Sequence, residues 1–337
     1  MSSHAKKQEI PIFFAIDDNY APFFAVALTS LLDNASKNFF YKIYVLTTSL
    51  RKEYADRLRL IVDDLAVDNA SIDFVSMKDE MEKSTGTFHL RHYYSKETYC
   101  RIFIPRVFKQ YDKVLYLDSD IVVTGDISEL YNADLGDNLV AAASEEVMTD
   151  YDVFGSYVEN VLGVWRYDYF SAGVLLINAK LYREENIEMK FIDLLNSFTF
   201  RVTQDEDYLN VLCKGRVKPV SLGWNKSSYK SKTNKDFDDK DLRLIHYKIN
   251  WKPWHYDEIL YEDYFWKYAK ETFLYDKILK IKAGYGADLR ERDTVQFNEL
   301  VKMAEEDTVD PNNYWATQQR KSGEKLVKRG LYGGKSE

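Results

Sequence analysis

The stretch Val114-Leu-Tyr-Leu-Asp-Ser-Asp-Ile-Val-Val123 combines a short apolar run, two acids and a second apolar run. Apolar runs of this length, bounded by polar residues, are typical of a central strand in an α/β sheet that is covered on both faces. Asp118 and Asp120, two residues apart on an extended backbone, point the same way. Crowded carboxylates at the end of a strand predict a site for Mg²⁺ or Mn²⁺, since hard divalent cations take carboxylate oxygens. The alternative is an ordinary Asp-Ser-Asp surface turn.

Length and composition restrict the class of protein. The chain has 337 residues, 45% of them hydrophobic, which fits one large α/β domain or one domain with an appendage. A net charge of −8 argues against a nucleic-acid partner. Cys100 and Cys213 lie in apolar patterns and are predicted to be buried free thiols of a reducing compartment. No signal-like or membrane-spanning run is visible, so a cytoplasmic location is expected.

Strands and helices alternate in units of about 30 residues, as βαβ crossovers require. The apolar pattern predicts strands at 10–16, 41–47, 72–77 and 139–143, and helices at 21–32, 51–65, 181–198 and 203–213, the last capped by Thr203. His89 and His92 are expected in a solvated loop.

The first strand ends in Asp17-Asp-Asn19, where a doubly wound sheet holds a nucleotide. Without a glycine-rich G-x-G-x-x-G, a dinucleotide is not expected; a ligand-free turn is the alternative.

Ordered motifs across residues 10–255 resemble the retaining glycosyltransferases of family 8. Tyr111-Asp-Lys-Val-Leu-Tyr-Leu-Asp-Ser-Asp120 is similar to that family's metal-binding DxD segment. The other matching stretches are Phe14-Ala-Ile-Asp-Asp-Asn-Tyr20, an S-x-x-T-Y-x-R pattern ending at Arg101, Tyr169-Phe-Ser-Ala-Gly-Val-Leu-Leu-Ile-Asn178, Gln204-Asp-Glu-Asp207 and His246 to Trp254.

The resemblance implies a fold, a cofactor and a set of site residues. The fold would be of GT-A type, a single Rossmann-like mixed sheet flanked by helices with a C-terminal helical and basic extension. Mn²⁺ or Mg²⁺ would be held by Asp118, Asp120 and His246. The donor, UDP-galactose or UDP-glucose, would contact Ala15, Asp17, Asn19, Arg101, Ser171, Ala172, Gly173 and Lys252. Asp205 and Glu206 would lie at the reacting sugar as catalytic residues.

Three positions depart from the family pattern. Ser171 replaces an asparagine, which puts the choice of donor sugar in doubt. Glu206 replaces a glutamine, and a carboxylate there offers either a hydrogen-bond acceptor or a nucleophile. Ile249 replaces a glycine, which puts a backbone contact to the phosphates in doubt.

The resemblance implies a hexosyltransferase that uses a glycan acceptor on a surface protein or on a cell-surface polymer, including lipid-linked glycans. The acceptor hydroxyl would attack the donor sugar from the leaving-group side, with a phosphate oxygen as base. One alternative is a HAD-like phosphatase that uses Asp118 as nucleophile. Another is a non-catalytic nucleotide-sugar binder.

The chain is expected to divide into three segments. Residues 10–257 would form the catalytic domain, 258–310 a helical segment packed on it, and 311–337 a basic, aromatic tail. The apolar side chains of the tail are too sparse to predict a place in a core. The tail is therefore expected either on the anionic inner face of a membrane or as a solvated end.

Overall fold

The computed structural model describes residues 7–66, 68–84, 86, 88 and 96–333, which excludes His89 and His92. Within these residues the strands are β1 Gln8–Ala15, β2 Phe39–Thr47, β3 Ala70–Ser76, β4 Val114–Leu117, β5 Ile121–Val123, β6 Val140–Ala142, β7 Val174–Ile177, β8 Val217–Pro219, β9 Lys226–Ser227 and β10 Leu244–His246. The helices are α1 Ala21–Asp33, α2 Lys52–Leu65, α3 Lys78–Lys83, α4 Cys100–Val107, α5 Ser128–Tyr131, α6 Glu146–Asp150, α7 Asp152–Tyr157, α8 Ala179–Glu184, α9 Ile187–Ser197, α10 Asp205–Leu212, α11 Glu262–Ala269, α12 Tyr275–Gly284, α13 Ala287–Val309 and α14 Tyr314–Ser322.

Seven strands form one mixed sheet in the order β3-β2-β1-β4-β7-β6-β8. Strands β3, β2, β1 and β4 run parallel to one another, whereas β7 is antiparallel to both β4 and β6. The predicted mixed α/β sheet flanked by helices is therefore confirmed. A second, smaller sheet of order β5-β10-β9 was not predicted. Strand β5 joins it because the chain turns at Asp118–Asp120 and leaves the large sheet.

The large sheet is covered by apolar side chains on both faces. Along β4, Val114 and Tyr116 belong to one core cluster, while Leu115 and Leu117 belong to the other. This alternation is the period of two that a strand imposes. All four side chains are buried, as the apolar run predicts. The two cysteines, Cys100 and Cys213, are also buried and free, as expected.

Two predicted helix boundaries are wrong. The helix expected over 181–198 is two helices, α8 and α9, because Asn186 takes a left-handed conformation with φ of +55° between them. Asparagine is one of the few residues that tolerate this region. The helix expected to be capped by Thr203 begins at Asp205 instead, after Gln204 with φ of +49°. Thr203 still donates its backbone N–H to Asp207 Oδ2, at 3.1 Å.

The expectation that the C-terminal tail is too sparse in apolar residues to enter a core is wrong for α14 and the residues that follow it. Trp315 is 4% exposed and packs against Gly163, where an added Cβ would lie 2.2 Å from the indole ring. The Tyr332 hydroxyl donates to the Ala142 carbonyl oxygen at 2.7 Å. Leu331 donates its backbone N–H to Asp168 Oδ1 at 2.8 Å. The segment is therefore held against the body that contains the large sheet.

Candidate active site

Two carboxylates and one imidazole meet beyond the end of β4. Asp118 and Asp120 follow this strand, and His246 is the last residue of β10. Because β10 pairs antiparallel with β5, with His246 opposite Ile121, the imidazole lies beside Asp120. His246 Nε2 is 3.1 Å from Asp120 Oδ1 and 3.7 Å from Asp118 Oδ2. Each residue offers one ligand atom, and these three atoms lie within 4.8 Å of one another.

This donor set fits a divalent cation. His246 Nδ1 lies 2.9 Å from the Asn225 side-chain oxygen. With a cation bound, the Asn225 amide oxygen would accept from Nδ1–H and leave the lone pair of Nε2 for the metal. Metal-binding histidines are usually oriented by such a partner. Two carboxylates and one neutral imidazole suit Mn²⁺, and carboxylates with water suit Mg²⁺.

Gly173 makes room for this cluster. A Cβ at this position would lie 2.2 Å from His246 Cε1 and 2.8 Å from Asp118 Oδ2. The carbonyl oxygen of Gly173 accepts the backbone N–H of Asp118 at 2.8 Å. No residue larger than glycine therefore fits here without displacing the side chains of His246 and Asp118.

Lys252 adds positive charge to the same cluster. Its Nζ lies 2.5 Å from Asp120 Oδ2 and donates to the Tyr247 carbonyl oxygen at 2.7 Å. Burial alone would raise the pKa of Asp120, but the charge of Lys252 holds this pKa well below its usual range. Asp120 is therefore ionised at neutral pH. The ion pair between Lys252 and Asp120 is buried, and both residues line one cleft of the protein.

Arg101 connects this cluster to Asp205. The guanidinium is buried, with Nη2 3.1 Å from Asp118 Oδ1 and Nε 3.0 Å from Asp205 Oδ2. It also donates to the Ala172 carbonyl oxygen and lies over the ring of Tyr116, 4.2 Å from its centroid. Burial raises the pKa of Asp205 to about 6, although Arg101 opposes the rise. Arg101 and Asp205 both line the cleft, as the sequence predicts for residues that meet a donor.

Ala15, Asp17 and Asn19 lie at the same edge of the large sheet. Strands β1 and β4 are parallel, and continuing their register by two residues from Phe13 and Tyr116 brings Ala15 level with Asp118. Asp17 Oδ1 accepts the backbone N–H groups of Asn19 and Tyr20, each at 2.9 Å, so the stretch forms an Asx turn. Tyr20 lines the cleft that holds Asp118, Asp120 and His246, whereas Ala15, Asp17 and Asn19 lie outside its lining.

Comparison with known proteins matches most of the sequence to one family. The profile of glycosyl transferase family 8 matches residues 11–258. The chain belongs to glycosyl transferase family 8. This membership removes the phosphatase alternative, whose nucleophile would follow the first strand, whereas the Asp-Ser-Asp here follows β4.

Similar proteins of family 8 come from several bacteria. Glycosyltransferase GlyE of Streptococcus pneumoniae is 31% identical over 269 residues, which are 77% of this chain and 60% of GlyE. The chain thus spans three fifths of that relative's length. Lipopolysaccharide 1,3-galactosyltransferase of Salmonella typhimurium is 28% identical over 75% of each chain. The crystal structure of galactosyltransferase LgtC with donor and acceptor sugar analogs has a TM-score of 0.59 at 26% identity, covering 78% of this chain and 96% of LgtC.

The departures from the family 8 pattern lie together in the cleft. Glu206 Oε2 accepts the backbone N–H of Ala172 at 2.7 Å. Burial and the nearby Glu145 raise the pKa of Glu206 well above its ordinary value. Ser171 is 1% exposed and lines the same cleft. Ile249 keeps a φ of +51°, so the backbone conformation that favours the family's glycine persists despite a β-branched side chain.

Sequence reasoning missed another buried ion pair in the cleft. Glu145, just after β6, and Lys248, just after β10, are both buried and lie 2.7 Å apart. Burial alone would raise the pKa of Glu145, but Lys248 lowers it. Lys248 lies within the motif His246 to Trp254, and Glu145 lies three residues after β6. Neither residue type is distinctive there, so the pair emerges only from the fold.

Apolar side chains, five of the six below from helices, line the rest of the cleft, whose empty volume of about 920 Å³ includes space open to solvent. They are Val147, Met148, Phe154, Val202, Phe297 and Leu300. Phe297 and Leu300 belong to α13, beyond the residues that family 8 matches. Among the described residues, no helix combines the length and the apolar character that crossing a membrane requires.

Proposed function

We propose that this family 8 protein is a metal-dependent, retaining hexosyltransferase that transfers galactose or glucose from a UDP-sugar to a glycan. The observation that carries the proposal is the convergence of Asp118, Asp120, His246 and Lys252 in one cleft with Asp205 and Glu206. Relatives named as lipopolysaccharide 1,3-galactosyltransferase and 1,2-glucosyltransferase support the hexose. The acceptor would be a glycan on a surface protein or a cell-surface polymer.

Breaking the anomeric bond of a UDP-sugar expels UDP, and the developing charge on the diphosphate must be neutralised. Asp118, Asp120 and His246 would hold the divalent cation, which supplies Lewis-acid charge at this leaving group. The Lys252 ammonium would add a second positive charge on the same side. Asp17 and Asn19 would orient the nucleoside.

Asp205, Arg101 and Ser171 would position the donor sugar, with the Ala172–Gly173 backbone close beside it. The buried Arg101–Asp205 contact fixes both side chains, so little side-chain entropy would be lost on binding. Glu206 is held against the Ala172 N–H and its raised pKa favours the neutral acid, which is a poor nucleophile. A hydrogen-bonding role toward the sugar is therefore preferred over a covalent one.

The test is release of UDP from single donors in the presence of Mn²⁺, with the anomeric form of the sugar product read by NMR. We expect release from UDP-galactose or UDP-glucose and retention of the α-anomer. Asp118→Asn should lose this activity. Asp112→Asn, which changes a surface carboxylate paired with Arg183, should keep it.

UDP binding without turnover of any donor would favour a nucleotide-sugar binder instead. Failure to bind UDP at all would overturn the proposal.

A further inference from the structure

Helix α13 contributes a wall to the cleft although it lies outside the residues that the family matches. Phe297 and Leu300, three residues apart on α13, lie on the same face of the helix and both line the cleft. Both are partly buried, so each keeps surface to offer a ligand. Val295, on the same helix, is 49% exposed and does not line the cleft.

The Phe297 ring is fixed by other aromatic rings. It packs edge-to-face on Tyr151 and on Phe154, with centroid separations of 5.9 Å in each case. Phe154 is 2% exposed and also lines the cleft. Edge-to-face packing of this kind stabilises ring orientation. The wall is therefore a preformed surface.

Asp293 ties α13 to the segment that carries His246 and Lys252. This carboxylate is buried and accepts the hydroxyls of Tyr256 at 2.8 Å and Tyr285 at 2.7 Å. Its backbone carbonyl oxygen accepts the Asn250 side-chain N–H at 3.4 Å. These contacts fix α13, and with it the apolar wall formed by Phe297 and Leu300, relative to His246 and Lys252.

The cleft offers a ligand two kinds of surface. The apolar wall carries no charge, whereas the buried Glu145–Lys248 pair lines the cleft with one acceptor and one donor. Such a site suits a ligand with an apolar face and polar groups at its edge. A pyranose ring has this character, since one face presents C–H groups and the rim presents hydroxyls.

We propose that Phe297 and Leu300, with Phe154, form the acceptor subsite and bind a pyranose residue of the acceptor by its C–H face, while Glu145 and Lys248 hydrogen-bond its hydroxyls. The proposal rests on the glycosyl-transfer function proposed above. It assigns acceptor selection to α13, a segment beyond the family match, and donor binding to the strand ends.

The test uses the full chain saturated with UDP and Mn²⁺. Methyl β-D-glucopyranoside and methyl β-D-galactopyranoside are titrated, with their octyl counterparts in parallel, and binding is followed by saturation-transfer NMR. We expect a methyl glycoside to bind, with the strongest transfer to ring C–H protons. Phe297→Ala should weaken this binding about tenfold, and Leu300→Ala less. Val295→Ala, changed on the same helix outside the cleft, should bind as the wild type does.

Phe297→Leu removes the aromatic ring but keeps an apolar side chain, so this variant should remain folded. We expect weakened saccharide binding with an unchanged melting temperature. Binding of UDP and Mn²⁺ by the wild-type protein is measured in the same samples, so that failure of this proposal is distinguished from failure of the proposed function. Equal affinity of Phe297→Ala and wild type would overturn the inference. So would binding of the octyl glycosides alone, or of no saccharide by a protein that still binds UDP and Mn²⁺.

Discussion

The two ends of the cleft are built in different ways. The metal end is assembled from residues at strand ends, Asp118, Asp120 and His246, whose positions follow from strand register. The other end is lined by helices, including Phe297 and Leu300 of α13, whose positions depend on how distant segments pack. The first lies within the family match and the second extends beyond it. Under the proposed function, the strand ends of the sheet would carry the donor chemistry, and α13 would lie on the acceptor side.

The largest effect is expected where the metal end is most crowded. Gly173→Ala should lower donor turnover about a hundredfold, because the new Cβ would displace His246 and Asp118 and small misplacements near the reacting groups are costly. Steady-state release of UDP measures the effect, with circular dichroism to verify the fold. Gly284→Ala is the matched control, since a Cβ there meets nothing within 4 Å. Normal turnover by Gly173→Ala would show that the ligands do not depend on this close approach.

The C-terminal side is tested through Trp315. Trp315→Ala should lower the free energy of unfolding by about 3 kcal/mol, as expected for truncating a buried aromatic side chain. If the C-terminal helices belong to the catalytic body, a single thermal transition should move to lower temperature. Val327→Ala, at a position 52% exposed, should change stability by less than about 0.5 kcal/mol. A separate early transition in Trp315→Ala would show instead that the C-terminal segment unfolds by itself.

A smaller effect is expected at Glu206, which lines the same cleft. Glu206→Gln keeps an oxygen that accepts from the Ala172 N–H, so turnover should fall about tenfold at most, or about 1.4 kcal/mol in the barrier. Intact-protein mass spectrometry of the wild type with donor should find no glycosyl adduct. A loss of several orders of magnitude, together with such an adduct, would establish Glu206 as a nucleophile.

The same substitution should change the pH dependence of stability. Burial and Glu145 raise the pKa of Glu206 in the folded protein above its ordinary value of 4.5. The folded state then holds a proton that the unfolded chain releases, so this stabilisation is complete below pH 4.5 and is lost as pH rises. Glutamine has no such dependence. The melting temperature of Glu206→Gln relative to wild type should therefore increase from pH 4.5 to pH 8, whereas a constant difference would indicate an ionised Glu206.

Sequence reasoning predicted the convergence of Asp118 and Asp120 because the information for it is local. An apolar run that ends in Asp118-Ser-Asp120 predicts a buried strand and converging carboxylates, and both are present. The pairing of Glu145 with Lys248 joins residues 103 positions apart, and no local pattern announces it. The break at Asn186 was missed because helical periodicity continues through a residue that itself turns left-handed. The packing of Trp315 was missed because its partner, Gly163, offers no side chain to signal a contact.

The most direct test of the metal-dependent donor site is calorimetric titration of the protein with UDP, with Mn²⁺ and then with a chelator. We expect UDP affinity to fall at least about a hundredfold when the metal is removed. Mutating a residue that only hydrogen-bonds to a metal ligand already costs about 10- to 100-fold, and removing the metal itself should cost at least as much. Asp120→Asn should abolish the response to Mn²⁺ while Asp112→Asn preserves it. Equal affinity with and without Mn²⁺, or an unchanged response in a folded Asp120→Asn protein, would contradict the assignment of Asp118, Asp120 and His246 as metal ligands.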